Sequence, residues 1–149
     1  MQKFSIALFS ALLLLGPASA SDEVDAMRTV RQVIDSFNKG ELKTALESCA
    51  PQAAIIDEFP PYVWQGTTGC VDWLRDFEAY AEKNGITGAK VVLGKAHIDV
   101  SEGRAFIVTP AHFTFRQNGK RMSEQGSIMA TLQNIADGWR ITGWVWAKR

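Results

Sequence analysis

Ala53-Ala54-Ile55-Ile56-Asp57 is a short apolar run closed by one carboxylate, and what stands on either side of it decides the fold. Upstream, Val24, Met27, Val30, Val33, Ile34 and Phe37 recur at three- and four-residue spacing, the stripe of a helix that starts near Ser21 or Asp22 and stops at Gly40. Leu42, Ala45, Leu46 and Cys49 give a second, shorter helix that ends before Pro51. Residues 53 to 59 then read as a buried strand. Pro60-Pro61 forces a turn, Tyr62 to Gln65 returns as a short partner strand, and Gly66 with Thr67 or Thr68 breaks the chain before the next helix. That helix carries Cys70, Trp73, Leu74, Phe77, Tyr80 and Ala81 on one stripe and closes at Asn84-Gly85.

Beyond Ile86 the hydrophobic period changes from 3.6 to 2, the signature of strands. Ser101-Glu102-Gly103, Asn118-Gly119 and Asp137-Gly138 punctuate the segment as hairpin turns, predicting strands at 87–100, 104–117, 120–135 and 139–148. Alternation across Asn118-Gly119 puts Ile107, Thr109, Ala111 and Phe113 on one face with Gly126, Ile128, Ala130 and Leu132, the face expected to meet the helices. Val108, Pro110, His112 and Thr114 fall on the other face with Ser123, Gln125, Ser127 and Met129. Pro110 cannot donate to a ladder and implies a bulge or an unpaired site.

The first twenty residues are of a different kind. Lys3 precedes twelve residues, Phe4 to Leu15, interrupted only by Ser5 and Ser10, and Ala18-Ser19-Ala20 follows the Gly16-Pro17 break. That pattern is an export signal cut after Ala20, and its apolar run is too short for a bilayer core of about 30 Å. The expected mature domain, residues 21–149, is therefore periplasmic or secreted and keeps no membrane span. Without Lys3 it holds 15 basic residues against 16 acidic ones, interspersed, which gives no footprint for nucleic acid. Export allows Cys49 and Cys70 to form a disulfide across a loop of about twenty residues; two small buried side chains are the alternative, and the sequence leaves the choice open.

The order of elements resembles the nuclear transport factor 2-like superfamily, in its SnoaL-like and ketosteroid-isomerase-like branch. The resemblance spans residues 21–149 and is carried by Asn38-Lys39-Gly40-Glu41, by Ala54-Ile55-Ile56-Asp57 with Gly66, and by Asp137-Gly138-Trp139-Arg140-Ile141 with Trp144 and Trp146. It implies an α+β, cone-shaped cystatin-like fold in which a curved, mostly antiparallel sheet wraps about three N-terminal helices. It also places the isomerases' catalytic aspartate on Asp57 and their pocket tryptophan on Trp146. Their oxyanion tyrosine falls on Val33, its partner acid near Ala130, and a supporting tyrosine on Leu74. Losing one oxyanion donor costs about a hundredfold in rate or more, which argues against enone isomerisation by that route. The superfamily hosts many reactions, so the fold alone assigns none.

Asp57 is the expected catalytic or ligand-contacting carboxylate, since an apolar mouth disfavours its ionised form and makes it a usable base. Glu58, on the opposite parity of the same strand, is expected to be solvated or salt-bridged. Trp64, Trp73, Trp146, Phe113 and Tyr62 are expected to contact a planar or apolar ligand. His112 is a candidate acid–base residue. Under a register pairing His97 near residue 107, the two histidines face opposite sides, and no C-x-x-C or H-x-x-x-H spacing offers a metal site. Glu124 falls on the inner face at the rim beside Phe113. Three functional readings follow: a binding protein for a small apolar or aromatic molecule, a proton-transfer enzyme of isomerase, cyclase or dehydratase type using Asp57, and a dimeric interaction module. None requires a cofactor, and a homodimer is expected.

Overall fold

The computed structural model describes residues 18–149; most of the expected export signal lies outside the described residues. Helix α1 (Ala18–Lys39) and the short α2 (Leu42–Leu46) lead into strands β1 (Cys49–Ile56) and β2 (Val63–Gly66), then helix α3 (Gly69–Lys83). Five strands follow: β3 (Ile86–Leu93), β4 (His97–Ser101), β5 (Arg104–Gln117), β6 (Lys120–Ile135) and β7 (Gly138–Lys148). They form one sheet in the order β2-β1-β7-β6-β5-β3, with β4 also paired to β5. Among the described residues only β1 and β7 run parallel; the other pairs are antiparallel.

The hairpin turns at Glu102-Gly103 and Asn118-Gly119 behave as those pairs dictate, whereas at Asp137-Gly138 the pairing of Ile135 with Gly138 leaves Ala136-Asp137 at the tip. Asn118 and Gly119 both take positive φ, at 50° and 81°, the conformation a two-residue hairpin needs, and β5 and β6 pair from Gln117↔Lys120 onward without a slip. The expected inner face is the one that meets the helices: Ile107, Thr109, Ala111, Ile128, Ala130 and Leu132 are all buried. Ala26, Met27 and Val30 of α1 pack on that face with Trp139 and Ile141, while Ile34 and Phe37 reach Val91, Ala111 and Ile128. Asn38 docks the helix end on β3, donating its amide to the Val91 carbonyl at 2.8 Å and accepting the Val91 N–H at 2.7 Å. Gly40 at φ +75° then stops α1, and the Glu41 N–H returns to the Ser36 carbonyl at 2.8 Å.

Three local expectations are corrected. Cys49 opens β1 instead of closing α2, and its sulfur is bonded to Cys70 at the start of α3. Pro51, without an N–H, sits in the irregular stretch of β1 where pairing with β7 jumps from Cys49↔Ile141 to Ala54↔Gly143. The strand expected over 87–100 is broken at Gly94-Lys95-Ala96 into β3 and β4. Pro110 explains that break: its carbonyl accepts the Gly94 N–H at 2.7 Å, so its nitrogen faces the same edge, where a ladder could not continue. Finally, the two-residue turn at Glu102-Gly103 pairs His97 with Val108, which puts His97 on the same face as His112, not the opposite one.

On the outer face one row of cross-strand neighbours is entirely apolar: Val63, Ile56, Val145, Met129 and Val108. Ile56 and Val63 are 45% and 49% exposed.

Candidate functional site

Between α1, α3 and the concave face of the sheet lies a hollow of about 150 Å³. Its deep wall is aliphatic, built from Val30, Val33, Ile128, Ala130 and Ile141, and its aromatic side comes from α3 and β7. Trp73 stacks on Phe77 with centroids 5.4 Å apart and meets Trp144 edge-on at 4.9 Å. Phe113 meets Trp146 at 6.2 Å. A bulge makes this arrangement possible. Pairing of β6 with β7 slips between Thr131↔Gly143 and Leu132↔Ile141, which reverses parity, so that Ile141 before it and Trp144 and Trp146 after it all face inward. Gly126 opposite leaves room for the Trp146 ring, which a Cβ there would meet at 2.8 Å.

Asp57 lies just past β1, where the chain turns through a cis Pro60–Pro61 peptide. Its own N–H donates to the Tyr62 carbonyl at 3.1 Å. One carboxylate oxygen accepts the Glu58 backbone N–H at 2.7 Å and the other the Trp73 indole N–H at 2.9 Å. Burial pushes this carboxyl above its ordinary range; the Glu58 N–H and the Trp73 indole offset part of that rise, and the charge of Glu124 adds to it.

Glu58 is exposed, as expected, but it does not face away from the hollow as the alternation implies. The strand ends at Ile56, so parity no longer governs residue 58, and Glu58 joins the lining of the hollow. Much of the residue remains in water, but its carboxyl faces Glu124. Burial raises its pKa to about 7, with hydrogen bonding to Glu124 and the repulsion of that charge next in size; Lys148 pulls it down and Asp57 adds a little. Glu124 in turn accepts the Lys148 ammonium on one oxygen at 2.6 Å, and its other oxygen is buried without a partner among the described residues apart from Glu58 beside it. The mouth thus gathers three carboxyls and one ammonium.

Of the residues singled out from the sequence, Asp57, Trp73, Trp146 and Phe113 line the hollow. Trp64 does not: it is buried behind Phe59, centroids 4.9 Å apart, and its indole donates to Asp76 at 2.8 Å. Tyr62 is exposed at the turn with φ 74°. His112, between the inward Ala111 and Phe113, belongs to the outer face, away from the hollow. Sequence reasoning missed Phe59, Phe77 and Tyr80 as walls, although the last two stand on the inward stripe of α3. The three positions where the resemblance implies polar groups, Val33, Leu74 and Ala130, all line the hollow and bring no polar atom to it.

No family model and no curated protein matches the sequence. Among solved structures, the chain is similar to a nuclear transport factor 2-like superfamily protein from Salmonella enterica serovar Typhimurium, with a TM-score of 0.75 and 17% identity over 88% of this chain and 93% of that one. A candidate dehydratase of the same family from Streptomyces avermitilis aligns with a TM-score of 0.73 and 13% identity, over 89% of this chain and 99% of that one. A protein from Novosphingobium aromaticivorans described as NTF2-like with a cystatin-like fold gives 0.71 and 13%, over 87% and 83%. This chain has the cystatin-like fold of the nuclear transport factor 2-like superfamily.

Proposed function

We propose that this protein binds a small apolar or aromatic molecule between α1, α3 and the sheet, with Asp57 as the polar anchor. The observation that carries the reading is the hollow itself. Protein interiors pack to crystal-like density and fill such spaces, whereas aromatic walls converging on a few polar groups are how small-molecule sites are built. A volume of about 150 Å³ matches engineered apolar cavities that hold benzene, so the fitting ligand carries one ring, not a fused polycycle. Titrating single-ring compounds while following tryptophan emission and thermal unfolding is expected to give saturable shifts. Unchanged signals across such a panel at millimolar concentration would overturn the reading. The exported location belongs to the same proposal; N-terminal sequencing of the mature chain is expected to start at Ser21.

A second reading, proton transfer at Asp57, is favoured by the desolvated carboxyl and its raised pKa. A base of that kind takes a proton from a ligand atom held against it and returns it elsewhere. The structural relative described as a candidate dehydratase is in keeping with such chemistry. An Asp57→Asn variant that binds ligand but no longer converts it supports this reading, and unchanged turnover removes it. We infer as well that a second copy of the chain covers the apolar outer row, because a chain so near charge neutrality does not repel its own copy.

A further inference from the structure

Asp57 is a desolvated carboxyl without a cationic partner among the described residues. Both donors on its oxygens, the Glu58 backbone N–H and the Trp73 indole N–H, are neutral. Among the described residues no lysine, arginine or histidine lines the hollow, and the Lys148 ammonium at the rim is engaged by Glu124. A carboxylate removed from water without a countercharge is held at a cost that an arriving cation relieves. Each Asp57 oxygen has a further lone pair for a donor. The surrounding surfaces suit the same visitor, since the faces of Trp73, Phe77 and Trp144 attract a cation brought within about 6 Å.

Resting on the reading of the hollow as a ligand site, we propose that its ligand is a small protonated amine bearing one apolar ring, with the ammonium on Asp57 and the ring among the aromatic walls. The charge at the mouth selects for it. Even with Glu58 only about half ionised at neutral pH, the carboxyls of Asp57, Glu58 and Glu124 outweigh Lys148, so cations are drawn in and carboxylates turned away. A neutral alcohol of the same shape keeps the apolar contacts and one hydrogen bond but lacks the charge. The body size follows from the hollow, which accommodates a ring and a short tail.

The test is isothermal titration of the intact protein at low salt and neutral pH with three probes of matched shape: 2-phenylethylamine, 2-phenylethanol and phenylacetate. The amine is expected to bind at least tenfold tighter than the alcohol, and phenylacetate to bind more weakly than either. Asp57→Asn is expected to abolish the preference for the amine, the amine losing at least tenfold in affinity and the alcohol only what its single hydrogen bond gives; alcohol binding that persists in the variant reports that the hollow is intact. Lowering the pH in the unmodified protein weakens the amine as Asp57 takes up a proton; repeating the titration in Glu58→Gln separates that effect from the Glu58–Glu124 pair and Lys148. Equal affinity for amine and alcohol in the unmodified protein overturns the amine assignment and leaves the ligand site standing. Failure of all three probes to bind overturns both.

Discussion

Asp57 owes its properties to a position that the sequence already marks, the end of an apolar strand before a Pro-Pro turn. Its partner is less legible. Trp73 sits sixteen residues away on another element, and only the packing of α3 on β1 brings its indole to 2.9 Å. Trp73→Phe keeps the ring but removes a donor that favours the charged form, so the Asp57 titration is expected to move further up; carbon-13 NMR of the carboxyl measures it, and a midpoint that stays put means the indole is not holding the charge. Glu58 was misplaced because alternation was carried past the last strand residue. Its pKa of about 7 lies above the ordinary 4.5, so between those values the folded chain holds more protons than the unfolded one. Stability therefore falls as pH rises through that window. Water screens the group, which keeps the loss to the order of 1 kcal/mol. Urea midpoints at about pH 5 and about pH 7.5 should lie closer together in Glu58→Gln than in the unmodified protein; Asp57 shifts in the same direction and leaves a residual slope.

The elements divide according to how local their causes are. Strand β5 begins and ends, and β6 begins, where the Glu102-Gly103 and Asn118-Gly119 turns require, since a hairpin register is fixed by the residues at its tip. The parallel pairing of β1 with β7 joins segments some ninety residues apart and leaves no local trace. The bulge near Thr142 is equally silent, although it alone turns both Ile141 and Trp144 into the hollow. The Cys49–Cys70 bond ties the start of β1 to the start of α3, two elements that flank the hollow, and closes a separation of 21 residues. A loop of that length is stabilised by about 3 kcal/mol through loss of unfolded-state freedom. Replacing both cysteines by alanine should lower the stability measured in urea by roughly that amount, and a variant as stable as the original means the bond contributes nothing.

At the scale of the whole molecule the sheet has two unlike faces. Its concave face is consumed by α1 and α3, while its outer face carries the continuous row from Val63 to Val108 with no charge in it. Single exposed apolar side chains are ordinary, but a row crossing five strands is the kind of patch that soluble chains cover. Stable pairs bury about 1,200–2,000 Å² in all, an area that calls for most of this face. Light scattering on the eluting protein is expected to give twice the chain mass. Met129 stands in the row between Val108 and Val145 and points away from the hollow. Met129→Glu puts a charge into the face proposed to meet a second copy, where it would have to be desolvated, so the variant is expected to elute as a monomer that still binds ligand. A monomer from the unmodified chain at high concentration would remove the second copy from this face. Loss of ligand binding on dissociation would instead mean that the partner helps to shape the hollow.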